Sequence, residues 1–390
     1  MVTIVGNGMG EYDFSNITGI DFESFDAILC DVNFQKHGTK ILKLKYKQIK
    51  EYILQHYREQ NILYIVTGSP LFFSAGVIVA SLIPSDYVKI INNQSSLDYM
   101  AEKLAISYTK INSISLHGRS QIDLEQFLTN QYTFILCDKD TIQRVQDALY
   151  YIDLDKIEIT IGYRLGYSNE IIKIVTLEEI KNNFDLNEPY VLIIKKNFTT
   201  SKPISEDEQY ETQRGMITKK YKRNLSLQNL DLYPNQILWD IGAGSGSCGI
   251  EAYKRYKVKI VLFEKQPLRY EFIEKNLKRH YVVDSLLIKG EAQDKFDQIT
   301  STPQRIFVGG GGYEVIKKLP YLYDRLDNDG VMLINAITLK NLTQMLTVLN
   351  DANIEYEVHS LSITTYKGKL DLVEPERELF AIKIVKKVTI

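Results

Sequence analysis

The segment ILWDIGAGSGSCGIEA, at Ile237–Ala252, decides the fold of the chain around it. An apolar run ends in Asp240, three glycines follow at alternate positions (Gly242, Gly244 and Gly246), and a segment of helical character comes next. This order predicts a strand, a tight loop and a helix, the first unit of a nucleotide-binding α/β sheet. Glycine suits such a loop because the turn needs backbone angles closed to other residues and because a ligand lies against bare backbone.

The glycines alone leave the ligand of this loop open. Gly244 to Gly249 also matches the dinucleotide pattern G-x-G-x-x-G, and a glycine-rich turn without any ligand is a further interpretation. The next apolar run, at 259–264, ends in Glu264, roughly 20 residues beyond the loop, where a carboxylate can accept hydrogen bonds from both ribose hydroxyls. S-adenosylmethionine has no phosphate and carries a cationic ammonium and sulfonium, so the acids Asp240 and Glu264 favour it over a pyrophosphate.

A third apolar run, LLIK at 286–289, leads into Gly290-Glu291-Ala292. This stretch predicts a loop on the adenine side of the ligand. A glycine loop, a carboxylate expected to bind the ribose and a loop expected beside the adenine, in this order, favour a class I methyltransferase over a dehydrogenase.

Length and composition favour two ordinary globular domains. The chain has 390 residues, of which 44% are hydrophobic and 25% charged. Its 47 basic and 49 acidic residues give a net charge of −2, which argues against a broad nucleic-acid-binding surface. The five histidines are scattered and the three cysteines (Cys30, Cys137 and Cys248) are widely spaced, so we expect no metal site and buried thiols in a reducing cytosol. No apolar run is long enough to span a membrane and no charged leader precedes the first strand, so we expect a cytoplasmic protein.

The N-terminal half also begins with a strand and glycines, VTIV at 2–5 followed by GNGMG at 6–10. A later strand, ILYIV at 62–66, runs into TGSPLFF at 67–73. This turn predicts backbone amides at the start of a helix over 75–82. A plain turn between a strand and a helix explains the stretch equally well.

Further elements give the rest of this half its α/β character. Ser95 or Ser96 is expected to cap a helix that extends to Leu104. The spacing of elements differs from that in the second half, so the halves have different folds and are not a duplication. A polar, proline-containing stretch after Lys196 predicts a domain boundary. We therefore predict an N-terminal domain at 1–197, a linker at 198–211 and a C-terminal domain at 212–390.

The motifs of both halves, taken in order, resemble one family, the bifunctional precorrin-6Y C5,15-methyltransferases (decarboxylating) of cobalamin biosynthesis. The N-terminal half is similar to tetrapyrrole methylases, and the C-terminal half to the decarboxylating partner. The likeness is carried by the opening glycine loop, Gly68-Ser69-Pro70-Leu71-Phe72, Leu116-His117-Gly118-Arg119, Arg164-Leu165-Gly166-Tyr167, Gly215-Met216-Ile217-Thr218-Lys219, Trp239-Asp240-Ile241-Gly242, Gly290-Glu291-Ala292, Phe307-Val308-Gly309-Gly310 and Asn335-Ala336. Each motif is short, but their order across two folds is specific and spans nearly the whole chain.

The resemblance implies both a fold and a reaction. The N-terminal domain would have the tetrapyrrole methylase fold of two α/β subdomains, and the C-terminal domain a class I Rossmann-like fold with a mainly parallel sheet. One S-adenosylmethionine in each domain would methylate a precorrin or cobalt-precorrin, at carbon 5 in the first and carbon 15 in the second. The second transfer would be accompanied by loss of the ring C acetate carboxyl as carbon dioxide. The resemblance also implies a homo-oligomer, and we expect neither nucleic acid nor a membrane as a partner.

Roles for individual residues follow from the same resemblance. Donor contacts are expected in the first domain at Gly6, Gly8, Gly68, Ser69, Pro70, Leu71, Phe72, Ser95, Ser96 and Gly166, and in the second at Thr218, Asp240, Gly242, Ala243, Gly244, Ser245, Gly246, Glu264, Glu291 and Ala292. Substrate contacts are expected at His117, Arg119, Gly309, Gly310 and Asn335, and catalytic roles at Asn335, Thr218 and Lys219. No residue is expected to bind a metal.

Physical arguments bear on some of these assignments. The substrate is a polycarboxylate, so Arg119 and Lys219 would supply positive charge, although a solvated surface position explains each of them as well. Four successive glycines at 309–312 follow a strand at 305–308. They cost chain entropy, which favours close approach of a large planar ligand over a filler loop. Asn335 ends a strand, where it would hydrogen-bond the ring or the departing carboxylate.

Three positions in the first half depart from the pattern usual in tetrapyrrole methylases. Met9 stands where the family usually has proline, Ser69 replaces an aspartate, and Asn93-Gln94 replaces proline-glycine. These departures leave open an alternative in which only the C-terminal domain catalyses and the N-terminal domain binds substrate or acts as a scaffold. An RNA methyltransferase with an accessory domain is the other alternative.

Overall fold

The computed structural model describes residues 1–119, 121–199, 204–369 and 372–387. Its contacts divide the chain into two compact units. The first unit consists of Met1–Gln121, Asn130–Ile142 and Glu158–Lys195, and the second of Ile122–Thr129, Gln143–Ile157 and Lys196–Ile390. Of the predicted linker at 198–211, residues 200–203 lie outside the described residues.

A five-stranded parallel sheet opens the first unit. Its strands are β1 (Val2–Gly6), β2 (Ala27–Cys30), β3 (Ile41–Lys43), β4 (Ile62–Val66) and β5 (Val88–Ile91), in the order β3-β2-β4-β1-β5. β1, β2 and β4 are buried at every position, as continuous apolar runs in parallel sheets usually are. In sequence, β3, β4 and β5 are followed respectively by α1 (Tyr46–His56), α2 (Ala75–Ala80) and α3 (Ser96–Lys103).

A second, mixed sheet completes the first unit. Its strands are β6 (Ile111–Ser115), β7 (Tyr132–Leu136), β8 (Ile157–Tyr163), β9 (Ile171–Ile174) and β10 (Tyr190–Lys196), in the order β6-β7-β10-β8-β9. β6 and β7 are parallel, whereas β10 is antiparallel to β7 and β9 is antiparallel to β8. The helices between these strands in sequence are α4 (Leu124–Thr129), α5 (Thr141–Ala148) and α6 (Leu177–Asn183).

The second unit is built on a seven-stranded sheet in the order β13-β12-β11-β14-β15-β19-β16. Five strands are parallel: β11 (Ile237–Ile241), β12 (Lys259–Glu264), β13 (Ser285–Lys289), β14 (Arg305–Val308) and β15 (Val331–Ala336). The other two strands of this sheet are β16 (Glu357–Leu361) and β19 (Leu379–Val385), and β19 is antiparallel to both β15 and β16. β17 (Thr364–Lys367) and β18 (Leu372–Pro375) form a separate antiparallel hairpin. The helices are α7 (Lys220–Asn229), α8 (Ser247–Tyr256), α9 (Pro267–Arg279), α10 (Tyr313–Lys317), α11 (Leu319–Arg325) and α12 (Leu339–Asp351).

The strand order of this sheet reverses beside β11, because β12 and β13 lie on one side of it and β14 and β15 on the other. Ligands of parallel α/β sheets bind at the carboxyl ends of the strands beside such a reversal. The loop at 242–246 leaves β11 at this point. Trp239 on β11 is fully buried and packs on Phe263 and Phe296, with ring centroids 5.3 and 5.9 Å away. The loop therefore follows a strand that is anchored in the core.

These elements confirm the predicted α/β fold class, with two sheets in the first half of the chain and a mainly parallel sheet in the second. Ser95 is the N-cap of α3, as predicted, because its hydroxyl accepts from the Asp98 amide at 3.1 Å and its own amide donates to the Asp98 carboxylate at 2.8 Å. The helix predicted over 75–82 is shorter and ends at Ala80. Within the described ranges, no helix is both long and apolar enough to cross a membrane.

Leu349→Ala should destabilise the second unit by about 2–5 kcal/mol, because Leu349 on α12 is fully buried in its hydrophobic core. The fluorescence of Trp239, the single tryptophan of the sequence, would follow denaturant unfolding of this unit. Leu339→Ala, in the first turn of the same helix, is the control, since Leu339 is 70% exposed and should change stability by less than about 0.5 kcal/mol. Equal destabilisation by the two substitutions would contradict this packing.

Candidate functional site

The loop after β11 turns through glycines with left-handed backbone angles. The φ angle is +74° at Gly242, +62° at Gly244 and +77° at Gly246, a region that disfavours residues with a side chain. The amides of Gly242 and Ala243 both donate to the Phe263 carbonyl at 2.9 Å. The turn is therefore held to β12, and its glycines leave backbone uncovered at the carboxyl edge of the sheet.

Glu264 ends β12 and joins that strand to the glycine loop. Its Oε2 accepts from the Gly244 amide at 2.8 Å, and its Oε1 accepts from the amides of Lys265 and Gln266 at 2.9 and 2.8 Å. The side chain is 2% exposed, and an Arg269 guanidinium nitrogen lies 3.6 Å from Oε2. An ionised carboxylate has about four acceptor sites, so Glu264 retains capacity for a ribose hydroxyl beyond its three backbone bonds.

Asp240 lies at 1% exposure beside the start of α8. Its Oδ2 accepts from the Gly249 amide at 2.9 Å, whereas Oδ1 and the Ser245 hydroxyl are buried with no hydrogen-bond partner among the described residues. Burial raises the pKa of Asp240 to about 7 despite the Gly249 bond, and the Glu264 charge adds to the rise. Because buried polar atoms normally have partners, this pair fits a ligand that brings hydrogen-bond donors and positive charge, such as the ammonium of S-adenosylmethionine.

The predicted adenine-side loop follows β13. The Gly290 amide donates to the Glu264 carbonyl at 2.9 Å, which ties this loop to the end of β12. Glu291 is 46% exposed, and its Oε1 lies 3.4 Å from Lys265 Nζ. Ala292 is 6% exposed and packs in the core of the unit. Glu291 is thus the member of this loop with a polar side chain at the surface.

Contacts within the protein explain in part why residues 309–312 are glycines. A Cβ on Gly242 would lie 2.7 Å from the Gly310 backbone, and a Cβ on Gly311 would overlap Val315. The Gly309 amide also donates to the Ile241 carbonyl at 2.9 Å. Contacts with Phe307 and Val315 therefore account for Gly309 and Gly311, whereas a Cβ on Gly310 would meet the Gly242 oxygen at an ordinary 3.7 Å. The approach of a planar ligand, which the sequence favoured, stays a prediction for the run.

The residues predicted to act on the substrate lie on two elements. Thr218 and Lys219 precede α7, and Asn335 lies on β15, where its Nδ2 donates to the hydroxyl of Ser226 on α7 at 2.9 Å. The Asn335 Oδ1 is buried and has no hydrogen-bond partner within the part of the chain that the structure describes. The Lys219 ammonium is 51% exposed and lies 3.6 Å from the Asp207 carboxylate. Asn335 is therefore the member of this group with an unused buried acceptor.

The first unit contains a cavity of about 730 Å³. It is lined by seven of the residues predicted to bind donor or substrate, namely Gly8, Gly68, Ser69, Phe72, Ser95, Ser96 and His117. The other predicted residues of this half are not among its described lining residues, namely Gly6, Pro70, Leu71, Arg119 and Gly166. The structure thus brings most of the predicted set to one cavity.

The glycines beside this cavity bring two turns together backbone to backbone. The Gly8 amide donates to the Gly68 carbonyl at 3.0 Å, and the Gly68 amide donates back to Gly8 at 3.2 Å. Both residues have left-handed angles, with φ of +73° and +61°. A Cβ on Gly6 would overlap the Gly68 carbonyl oxygen, and a Cβ on Gly166 would lie 2.7 Å from the Gly10 amide. Gly6 and Gly166 therefore shape the turns without lining the cavity.

The positions that depart from the tetrapyrrole methylase pattern take part in this arrangement. The Ser69 hydroxyl donates to Asn92 Oδ1 at 2.6 Å and accepts from the Leu71 amide at 3.0 Å. Asn93 Nδ2 donates to the Gly6 carbonyl at 3.0 Å. The side chains of Ser69 and Asn93 are therefore hydrogen-bonded to the backbone of these turns.

Several residues that line the cavity were not predicted from the sequence, including Tyr12, Asp31, Tyr64, Asp138 and Tyr167. Asp31 directly follows β2, a position at the carboxyl edge of a parallel sheet that could have identified it. The tyrosines gave no comparable signal, because in sequence they resemble ordinary core residues. Burial raises the pKa of Tyr12 and of Tyr64, which keeps both phenols neutral at physiological pH.

Burial makes two of the three thiols unreactive. All three are buried, and burial raises the pKa of Cys30 to about 11 and that of Cys248 to about 12. These two thiols therefore stay protonated and are poor nucleophiles. Across the described ranges, no group of three or more His, Cys, Asp or Glu side chains is placed to hold a metal ion.

A glycine loop, a buried acid and a carboxylate at the end of the next strand, all beside the reversal of a mainly parallel sheet, define a class I S-adenosylmethionine-dependent methyltransferase. Comparison with known proteins agrees with this class. Residues 208–386 match the family described as the precorrin methyltransferase domain, and residues 21–181 match the tetrapyrrole (corrin/porphyrin) methylases.

Two relatives match this chain over most of their own length. The precorrin-6Y C(5,15)-methyltransferase [decarboxylating] of a Sinorhizobium species is 26% identical over 302 residues, which are 75% of this chain and 71% of the relative. A probable cobalt-precorrin-6B C(15)-methyltransferase (decarboxylating) of Pyrobaculum aerophilum is 30% identical over 182 residues, which are 45% of this chain and 92% of the relative. The chain belongs to the precorrin-6Y C5,15-methyltransferase (decarboxylating) family.

Solved structures of two proteins named as precorrin-6Y methylating enzymes also align with parts of the chain. The precorrin-6Y C5,15-methyltransferase from Geobacter metallireducens has a TM-score of 0.45 and 30% identity, and the match covers 48% of this chain and 100% of that one. The cobalamin biosynthesis precorrin-6Y methylase from Archaeoglobus fulgidus has a TM-score of 0.38 and 20% identity, and covers 51% of this chain and 99% of that one.

Asp240→Asn should remove a pH dependence from the stability of the second unit. Because the pKa of Asp240 is raised to about 7, the folded unit keeps a proton that the unfolded chain releases above pH of about 4. Asp240 therefore costs stability as the pH rises between these values, by at most about 1.4 kcal/mol per pH unit. Denaturant titrations of the ligand-free chain, followed by Trp239 fluorescence, should show wild type losing stability relative to the variant across this window. A difference that stays constant with pH would contradict the raised pKa.

Proposed function

We propose that the chain methylates a precorrin or cobalt-precorrin ring at carbons 5 and 15, with loss of the ring C acetate carboxyl as carbon dioxide, in cobalamin biosynthesis. The observation that carries this proposal is the match of the two halves to tetrapyrrole methylases and to the precorrin methyltransferase domain, in one chain. S-adenosylmethionine would supply an electrophilic methyl group for each transfer to an electron-rich ring carbon. The protein's task is then alignment, which can lower a barrier by roughly 7–11 kcal/mol.

In the second unit, Asp240, Ser245 and Glu264 would hold the donor. The buried Asp240 Oδ1 and Ser245 Oγ, neither with a partner among the described residues, support contacts to the amino-acid end of the donor. The spare acceptor capacity of Glu264 supports a ribose contact. A cation beside Asp240 lowers the pKa of its carboxyl, so donor binding would favour the ionised form.

We place a second donor in the cavity of the first unit. Its volume of about 730 Å³ falls in the range of small-molecule sites. Asp31 and Asp138 on its wall suit the cationic groups of the donor better than a polycarboxylate ring. The bonding of Ser69 and Asn93 into the glycine turns favours a working first site over one that has lost its function.

The substrate contacts belong to the same proposal. His117 and Arg119 in the first unit, and Gly309, Gly310 and Lys219 in the second, would contact the ring or its carboxylates. Asn335 would act as an acceptor, since its Nδ2 already donates to Ser226 and its Oδ1 is an unused acceptor within the described structure. A ring N–H suits this oxygen better than a departing carboxylate, which has no proton to donate. Thr218, which precedes α7, would contact the donor and take part in catalysis.

Three further expectations stay predictions. A homo-oligomer would appear as a multiple of 45.0 kDa in light scattering. The net charge of −2 supports a small-molecule substrate over RNA, and RNA binding with a steep salt dependence would contradict it. A cytoplasmic location is testable by fractionation.

Glu264→Ala should block methylation at carbon 15 and decarboxylation while methylation at carbon 5 continues. A hydrogen bond to a charged group contributes about 1.5–3 kcal/mol, so donor affinity at this site should fall roughly tenfold to hundredfold. Mass spectrometry of the ring product measures both outcomes, because the singly methylated product differs in mass from the doubly methylated, decarboxylated one. Glu271→Ala is the control, since Glu271 lies exposed on α9 and pairs with Lys275. Unchanged products from Glu264→Ala would remove its assigned role.

Gly8→Ala should block methylation at carbon 5 and spare carbon 15. Gly8 lines the cavity of the first unit at φ of +73°, and a Cβ there would lie 3.0 Å from the Asn93 side chain. Gly19→Ala is the matched control, because Gly19 has nearly the same φ, +72°, but nothing within 4 Å of an added Cβ. Both variants carry similar backbone strain, so only the variant in the cavity should lose the carbon 5 product. Retention of that product by Gly8→Ala would favour the alternative in which the second unit alone catalyses.

A further inference from the structure

Residues 204–219, which we call the strap, lead into α7 and carry Thr218 and Lys219. Three helices of the second unit, α7, α8 and α9, hold the strap through buried polar side chains. Arg223, Glu251 and Asn276, one from each helix, are 0% exposed. The strap therefore has a defined docked conformation, although its first half, residues 204–211, belongs to the segment predicted as a linker.

Arg223 and Glu251 fix the two ends of the strap. Arg223 donates to the carbonyls of Ser205 and Thr218, both at 2.7 Å. Glu251 accepts from the Ser205 amide at 3.1 Å and from the Tyr210 hydroxyl at 2.9 Å. Buried charges are tolerated when they are paired and hydrogen-bonded in this way, so both side chains favour the docked strap.

Asn276 connects the middle of the strap to the donor loop. Its Oδ1 accepts from the Glu211 amide at 2.7 Å, and its Nδ2 donates to the carbonyls of Glu211 and Ser245, both at 2.9 Å. Ser245 carries the buried hydroxyl that has no partner among the described residues, and it follows Gly244, whose amide binds Glu264. One amide group thus fixes the strap and the donor loop together.

Arg269 makes a second connection of the same kind. Its Nε donates to Gln213 Oε1 of the strap at 3.2 Å, and its Nη1 lies 3.6 Å from Oε2 of Glu264. The acid assigned to the ribose and the residue assigned to the amino-acid end of the donor are therefore both linked to the strap through α9.

We infer that Asn276 is a positioning residue that couples docking of the strap to donor binding in the second unit. This inference rests on the donor site proposed above. Asn276 sets the position of Ser245 through the same amide that docks the strap, so a docked strap favours the binding geometry of the loop. By linkage, a donor that fixes the loop stabilises the docked strap by the same free energy. A bound donor would then favour the docked strap, and with it the positions of Thr218 and Lys219.

Hydrogen exchange of the full chain, titrated with S-adenosylhomocysteine, measures both ends of this coupling. Peptides that cover 242–250 report binding at the loop, and peptides that cover 205–216 report docking of the strap. In wild type, the ligand should slow exchange in both with one midpoint. Asn276→Ala should raise the midpoint at the loop by about tenfold or more, because it leaves buried backbone groups without partners. The response of strap exchange to the ligand should fall to what the Arg269 connection alone transmits.

Asn276→Asp is a second variant, which keeps the test possible if Asn276→Ala does not fold. It keeps the shape and the acceptor for the Glu211 amide. Burial favours the protonated acid, which donates at most one of the two bonds, so this variant should also weaken the coupling. Glu211→Ala is the control, since it removes only the carboxylate that pairs with Arg279 at 2.6 Å and keeps the backbone groups that Asn276 binds. Its midpoint should stay within about twofold of wild type.

The outcomes separate the inference from the function on which it rests. Ligand-dependent protection of the strap that persists in both Asn276 variants, with a wild-type midpoint, would overturn the inference. So would a lower melting temperature with the coupling intact, which is the signature of a structural role alone. Absence of protection at 242–250 in wild type would remove the proposed donor site itself, and the inference with it.

Discussion

The hydrogen bond between the Gly244 amide and the Glu264 carboxylate joins the two strand ends that form the donor site of the second unit. A charged acceptor makes this bond stronger than one between neutral groups. Because Glu264 is almost fully buried, its carboxylate takes its hydrogen bonds from the surrounding backbone amides. The glycine turn and the end of β12 therefore share one anion, and the Gly290 amide binds the same residue through its carbonyl. One side chain therefore shapes the loop and is also the one proposed to bind the donor ribose.

The donor proposed for each unit would lie against an unrelated backbone in each. In the second, one turn with three left-handed glycines provides bare backbone beside buried acids. In the first, two separate turns meet at Gly8 and Gly68, and the acids come from other strand ends, such as Asp31. What the units share is uncovered backbone next to negative charge. This combination suits a cationic cofactor without phosphate, whatever fold supplies it.

Local chemistry made part of these sites predictable from the sequence. The glycines at 242–246, the acid at Glu264 and the cap at Ser95 follow from short-range rules about backbone angles, strand ends and the reach of a side chain to a nearby amide. Glu251 and Asn276 were not predictable, because their partners in the strap lie 46 and 65 residues away in the chain. In sequence, each is only a polar residue within a helix, and folding alone reveals which backbone groups it must satisfy.

The contact between the loops at 242–246 and 309–312 limits how this protein can change. A side chain at Gly242 would collide with the Gly310 backbone, so the two segments are packed closely backbone against backbone. Drift in one loop is acceptable only if the other still leaves room for it. A chimera that takes the first loop from another methyltransferase should therefore take the second from the same parent, and engineering for larger donor analogues has to treat the pair as one exchangeable part.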